Sequence, residues 1–525
     1  MSTPVLAGAN TAAALAAVVL VTAATVLIAV NGLRLSRTTS DFYVASRTVK
    51  PWWNASAIGG EYLSAASFLG VAGLIVVSGE EGLWFPIGYT AGYLMLLLFV
   101  AAPLRRSGAY TLPDFAQMRL GGRLPRLVTS ALVVAVGWLY IVPQLHGAAL
   151  TLGITTALPR WAGPVAVTGI VCLTVLAGGM RSITFVQAFQ YWLKLAALAV
   201  PTIFLLLHLG ATGESVTAGG AAFDRLPAQE AGSAALGVPT GDLTLYQTVS
   251  LILALLFGTL GLPHVLVRFY TNPDGPSARR TTAIVLGLLA VFYLFPTVLG
   301  VIGRAHLPGL VASADADATV LLLPGALVGG VAGDLLTALV AGGAFAAFLS
   351  TSSGLVVSLA GVMSQELFGG TVRGFRIAAL LACAVPLGIA LLTGTAALAG
   401  AIGAVFAFTA STICPLLLLG IWWRGLTGRG AVAGMLTGAV SCGGALAAAQ
   451  LLPAGYTVAG LAVVGILQQP AAITVPLAFL VTVGVSKASS APGGRRAAQV
   501  MARLHAPEDA DGLDGLPEEI SRWRP

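Results

Sequence analysis

Glu61 stands inside an apolar run, between Ile58-Gly59-Gly60 and Tyr62-Leu63-Ser64-Ala65-Ala66-Ser67-Phe68-Leu69-Gly70. A carboxylate at mid-bilayer depth costs about 2.5–3.5 kcal/mol by insertion scales, so it faces a cavity or a partner. The glycine pair and the two serines beside it predict a helix that breaks here and turns free backbone oxygens toward a ligand. A second polar cluster, Ser350-Thr351-Ser352-Ser353, follows Ala346-Ala347-Phe348-Leu349 in another apolar run. Hydroxyl and carbonyl oxygens together can replace the hydration shell of a hard cation. Small residues of this kind also serve close helix packing, and the cluster alone does not decide between the two.

Lys194, in Tyr191-Trp192-Leu193-Lys194-Leu195, lies near the middle of a third apolar run. Three roles suit it: holding an anionic solute, pairing with Glu61, or snorkelling into a crevice. Glu61 likewise has three readings, beside a cation, as a protonatable group, or as the partner of Lys194. Phe257-Gly258-Thr259-Leu260-Gly261-Leu262-Pro263 carries two glycines and a proline, which predict either a second broken helix or a packing kink. A half-helix starting there would present free N–H groups to a carboxylate. Gln144 and His146 lie just after Pro143; Gln144 is a candidate hydrogen-bond donor to solute and His146 reads as a packing residue. His264, beside Arg268, reads as a residue that orders a helix end.

The elements that must position these groups are membrane helices. The 525 residues are 57% hydrophobic and 9% charged, with mean hydropathy +0.91. A soluble domain carries about 25% charged residues. Spans of about 20 apolar residues are required, and the pattern predicts thirteen: 8–31, 53–78, 83–103, 127–157, 162–179, 182–209, 244–268, 281–303, 330–366, 374–393, 397–421, 430–452 and 459–486. The first run lacks a basic leader and is read as a retained helix. Basic residues sit on one side of this scheme, all but Arg160, Arg225, Arg304 and the intramembrane Lys194. That asymmetry places the N-terminus outside, the C-terminus in the cytoplasm and the chain in the cell membrane. The net charge of +7 is spread between spans, so no nucleic-acid partner is expected. Cys172, Cys383, Cys414 and Cys442 read as small buried hydrophobes. The tail from Ser486, basic and then acidic, is expected to be solvated and partly disordered.

Gly60 to Gly70 paired with Phe348-Leu349-Ser350-Thr351 resembles the sodium:solute symporter family, as does Gly178-Gly179-Met180-Arg181. The Ser64-to-Gly70 segment and Gly258-Thr259-Leu260-Gly261-Leu262-Pro263-His264-Val265-Leu266-Val267-Arg268-Phe269 are similar in particular to its cation–acetate and monocarboxylate branch. The likeness runs from about Asp41 to Arg429. It implies an all-α polytopic protein of about thirteen transmembrane helices with a leucine-transporter-like core of five plus five inverted-repeat helices. The implied layout is 1–50 for a first helix and cytoplasmic link, 51–425 for the core, 426–487 for two further helices and 488–525 for a cytoplasmic tail. Repeats of about 51–210 and 243–425 would make up the core.

By position, the resemblance puts sodium on the backbone oxygens of Gly60, Leu63 and Ala347 and the hydroxyls of Ser350 and Thr351. Glu61, Ser64, Ser67, Gln144, Lys194, Phe257 and Thr259 are the candidates for coupling or solute contact. Two positions depart from the family: Gln187 stands where several members have Asp, and Glu61 where the acetate-type branch often has Asp.

The function expected is secondary-active import of a short-chain monocarboxylate, of acetate, propionate or pyruvate type, coupled to Na⁺ or H⁺ by alternating access. A neutral or zwitterionic solute (proline, sugar, vitamin) on the same fold is the alternative. No enzyme activity is expected: the five histidines are dispersed and no phosphate-binding loop is present. No cofactor is expected, sodium being a co-transported ligand.

Overall fold

Backbone polar groups in hydrocarbon must be satisfied within their own segment, so long Ala, Leu and Val runs become helices. The computed structural model describes residues 11–33, 49–156, 158–213, 244–310, 315–394, 397–453, 457–458, 461–489 and 494–506. Expectations resting on Arg34, Arg37, Arg47, Glu214, Asp224, Arg225, Glu230, Asp242 and the acids from Glu508 onward lie outside these residues. Among the described residues, eleven helices are long and apolar enough to cross a membrane.

The chain opens with α1 (Thr11–Leu33), then α2 (Pro51–Tyr62), a π-helical turn at Ala66–Gly70 and α3 (Val71–Ser78). Gly79, at φ 60°, ends α3 in a conformation that favours glycine, and a short 3₁₀ turn leads into α4 (Trp84–Phe99). α5 (Ala101–Arg106) and α6 (Leu112–Leu120) are short; α7 (Arg123–Thr156) is long. The expected spans 162–179 and 182–209 fall within one helical run, α8 (Ala162–Thr212), whose apolar parts are Ala162–Leu176 and Met180–Thr212. α9 (Thr244–Gly261) and α10 (Pro263–Phe269) divide the expected span 244–268 at Leu262.

The remaining elements are α11 (Gly275–His306), α12 (Thr319–Leu327), α13 (Gly330–Leu367), α14 (Val372–Leu392), α15 (Leu398–Trp422) and α16 (Gly428–Leu451). The expected last span, 459–486, starts later than the hydropathy suggested. Thr457–Val458 pairs antiparallel with Leu461–Ala462, α17 (Val463–Gln468) follows, and α18 (Ala471–Ala488) makes the span. Pro470 has no N–H to continue a helix from α17, which explains the interruption.

The tail also differs from expectation. Its first part is α19 (Gly494–His505), which packs back on the bundle: His505 Nε2 lies 2.8 Å from the carbonyl of Ile421, and its ring is 4.8 Å from that of Trp422. Val500 and Leu504 are buried, so this segment is docked rather than solvated.

At the centre, α2 lies between α8 and α13 at very close range, and glycines make that possible. A Cβ on Gly60 would stand 2.2 Å from the Gln187 carbonyl oxygen of α8, and one on Gly354 would stand 2.0 Å from the Glu61 carboxylate. Gly60→Ala therefore forces apart two backbones, and overpacking of this kind costs about 1–3 kcal/mol. Thermal unfolding of purified protein should show a clear drop for Gly60→Ala. Gly153→Ala, whose added methyl meets nothing within 4 Å, should show none. Equal melting of the two variants would contradict the packing described.

Candidate functional site

The break in the first core helix falls where the glycine–carboxylate–serine run predicted it. Leu63 (φ −73°, ψ 85°) leaves helical geometry, and α2 stops at Tyr62. The interruption is held open by Gln144 of α7, whose Oε1 accepts a hydrogen bond from the N–H of Ala65 at 2.9 Å. The donor atom of the same amide, Nε2, lies 3.4 Å from the carbonyl of Tyr140.

The five residues to which the resemblance assigned sodium do come together, and a side chain lies among them. Lys194 Nζ donates to the carbonyl of Gly60, to that of Leu63 (2.8 Å) and to Ser350 Oγ (2.7 Å). Ser350 Oγ is also 2.7 Å from the Gly60 carbonyl and 3.0 Å from that of Ala347. Thr351 Oγ1 donates to the carbonyl of Glu61 at 2.6 Å. Lys194 and all five of these residues are buried.

Glu61 does not pair with Lys194. Its Oε2 accepts from Arg268 Nε at 2.6 Å, with both side chains buried. The rest of the Arg268 guanidinium donates to Thr184 Oγ1 (2.7 Å) and to Gln187 Oε1. Gln187 in turn donates Nε2 to the carbonyl of Ser350 at 2.7 Å, tying α8 to α13. The sequence reading placed Arg268 with the cytoplasmic loops. The turn at Leu262 instead redirects α10 so that Arg268 reaches under the broken helix.

A cage of aromatic rings covers the other side of the break. Tyr62, Tyr89, Tyr93, Tyr140, Tyr293 and Phe406 are all buried, with the Tyr62 and Tyr93 ring centroids 4.5 Å apart and Tyr89 and Phe406 5.1 Å apart. Tyr62 OH is 3.1 Å from Thr259 Oγ1, and Ser67 Oγ is 2.9 Å from Tyr293 OH, so these two site candidates anchor the cage. His264 stacks on Tyr140 at 5.2 Å, joining the second break to the cage. Within the described residues, the hydroxyls of Tyr89 and Tyr93 and both ring nitrogens of His264 are buried without a hydrogen-bond partner, and the buried hydroxyls of Ser64 and Tyr140 have only each other.

Two further expectations are corrected or relocated. Phe257 is turned away from the break and packs its ring 6.2 Å from Phe479. His146 sits at the wall of a separate cavity with Thr393, where its Nε2 is 3.4 Å from the carbonyl of Ala390. Sequence reasoning missed the five cage tyrosines and the role of His264. The one available signal was the Pro263-His264 pair at a predicted break; tyrosines scattered over several spans gave none.

At one end of the bundle Arg126 of α7 closes a polar cluster, bonding Asp114 of α6 at 2.8 Å and Glu366 of α13 at 2.6 Å. Arg119 donates to the carbonyls of Gly420 and Trp423. Arg105 donates to those of Asn272 and Pro273. The basic loops therefore gather on a single face, capped by α19.

Comparison with known proteins gives a consistent placement. The chain is 30% identical over 473 residues to the uncharacterized symporter YwcA of Bacillus subtilis (strain 168), covering 87% of this chain and 90% of that one. It is 30% identical over 487 residues to a monocarboxylic acid transporter of Corynebacterium glutamicum, covering 85% and 87%. Among solved structures, a substrate-bound, outward-open Na⁺-coupled sialic acid symporter superposes with a TM-score of 0.70 over 91% of this chain and 98% of that one, at 14% identity. MHP1, a nucleobase-cation-symport-1 family transporter in a closed conformation, gives 0.51 over 88% and 98%, at 16% identity. The fold is the leucine-transporter-like one that the sequence predicted. The model of the sodium:solute symporter family matches residues 42–438, and the chain, a multi-pass membrane protein, belongs to that family.

Proposed function

We propose that this protein is a secondary-active symporter that imports a short-chain monocarboxylate of acetate, propionate or pyruvate type by alternating access, driven by a cation gradient. The observation that carries the reading is the set of undersatisfied buried polar atoms at the two breaks: Ser64 Oγ and Tyr140 OH, which have only each other, and the His264 ring, which has no partner. A buried polar atom left without a partner costs about 1–3 kcal/mol. Hydroxyls and an imidazole N–H are hydrogen-bond donors, and an ionised carboxylate only accepts. A small carboxylate held here would satisfy several of them at once, with its methyl or ethyl group against the rings of Tyr89 and Phe406. The name of the Corynebacterium relative agrees with this class.

A zwitterion fits less well. Its ammonium needs an uncompensated acidic partner, and the charge of Glu61, the acid at the break, is already balanced by Arg268. A neutral solute would use the same hydroxyls, and transport assays separate the two. Coupling requires that solute and cation together favour one of two states of the core, which the breaks at Leu63 and Leu262 are placed to distinguish. For the topology we propose repeats of about 51–210 and 243–425 within a core at 51–425, two helices at 426–487, and a plasma-membrane location. The face gathering Arg105, Arg119 and Arg126 would be cytoplasmic, with the N-terminus outside.

Radiolabelled acetate uptake into proteoliposomes, with inward Na⁺ or H⁺ gradients imposed separately, is the test. Concentrative uptake under either gradient, competed by propionate and pyruvate, is expected. Folded protein that takes up no acetate under either gradient would sink the monocarboxylate reading and favour a neutral solute.

A further inference from the structure

Three of the five oxygens assigned to sodium by resemblance, those of Gly60, Leu63 and Ser350, already accept from the Lys194 side chain. The Gly60 carbonyl accepts from Lys194 and lies within hydrogen-bond distance of Ser350 Oγ; the Leu63 carbonyl accepts from Lys194. The Ala347 carbonyl is matched by Ser350 Oγ, Ser350 Oγ accepts from Lys194, and the Thr351 hydroxyl hydrogen is directed at the Glu61 carbonyl. An ammonium has three N–H donors and no acceptor. Lys194 Nζ has three oxygen partners in the site, one for each hydrogen. The lysine stem comes from α8, is itself buried, and lies between α2 and α13.

We infer that the Lys194 ammonium is the resident cation of this site, and that the transporter neither binds nor requires sodium there. Sodium would need lone pairs on Gly60, Leu63 and Ser350 that Lys194 occupies. It would also lie within contact range of a full positive charge, in a region where like charges repel strongly. The adjacent carboxylate that could offset a second cation, Glu61, is neutralised by Arg268. The residues at hand therefore do not fit a sodium ion while Lys194 holds its place. The inference deepens the symport reading, on which it rests for its consequence: the gradient that drives uptake is not that of sodium at this site.

The test is equilibrium binding of radioactive sodium to the purified full-length protein, with no solute present. Wild type should show no saturable binding. Lys194→Ala, which removes the charge and frees the Gly60 and Leu63 carbonyls, should acquire saturable binding that disappears when Ser350→Ala and Thr351→Ala are added. Saturable binding to wild type that is abolished by Ser350→Ala with Thr351→Ala would overturn the inference. Should Lys194→Ala fail to fold, wild type alone still decides. In proteoliposomes, replacing Na⁺ by choline should leave the initial rate of acetate uptake unchanged; a loss of about tenfold or more, or about 1.4 kcal/mol, would overturn it. Absence of acetate uptake under every gradient would tell against the monocarboxylate reading and leave the sodium-binding result to judge this one.

Discussion

Arg268→Met should destabilise the protein by about 3–5 kcal/mol, because it leaves Glu61 as an uncompensated buried charge. The pair is buried on both sides, and the guanidinium also bridges Thr184 and Gln187. Removing it breaks three contacts between α10, α2 and α8 at one stroke. The neutral double variant Glu61→Gln with Arg268→Met removes the stranded charge as well. Replacing both members of a buried pair is often close to neutral, so the double variant should recover much of the loss. Thermal unfolding of both variants, completed as a double-mutant cycle with Glu61→Gln alone, measures the coupling. If Arg268→Met melted like wild type, or if the double variant were no better than the single one, the pair would not hold the broken helix in place.

That pair also shows how far the sequence could be read. Glu61 demanded a partner by its cost in the bilayer, and the glycines around it announced the break at Leu63. Hydropathy predicted depth along each helix, which put Lys194 near the middle of its span. Depth does not give the direction in which a side chain points. Depth made Lys194 the one basic candidate for pairing with Glu61, and the pairing with Arg268 instead depends on how α10 turns after Leu262. Arg268 stood at the end of an apolar run, where arginines are ordinarily the first residues of a cytoplasmic loop. Nothing in the local pattern separated that case from a short re-entrant half-helix. The cage was hidden for a similar reason. Tyr62, Tyr89, Tyr140 and Tyr293 come from four helices, and each alone is an ordinary aromatic residue of a membrane span. Phe257 shows the same limit from the other side: its place beside a predicted break suggested a solute contact, while its ring packs against Phe479.

Tyr140→Phe combined with Ser64→Ala should raise the acetate KM steeply and leave the fold intact. Both hydroxyls are buried and have only each other, and replacing both partners of such a bond by apolar groups is nearly neutral or stabilising. The empty transporter should therefore melt at the wild-type temperature or above it. Hydrogen bonds to a charged group contribute about 1.5–3 kcal/mol each. Losing one bond to a bound carboxylate thus weakens binding by about tenfold to a hundredfold, at 1.4 kcal/mol per factor of ten. The double variant should lose more than either single one. Because stability and affinity are predicted to move in opposite directions, the measurement discriminates sharply. A structural role for these hydroxyls would lower the melting temperature and reduce the amount of folded protein with KM unchanged. A solute-binding role would raise KM for acetate, propionate and pyruvate alike, since all three share the carboxylate that the hydroxyls would hold. Unchanged KM in a well-folded double variant would remove Ser64 and Tyr140 from the solute site and with them the main support for a carboxylate there.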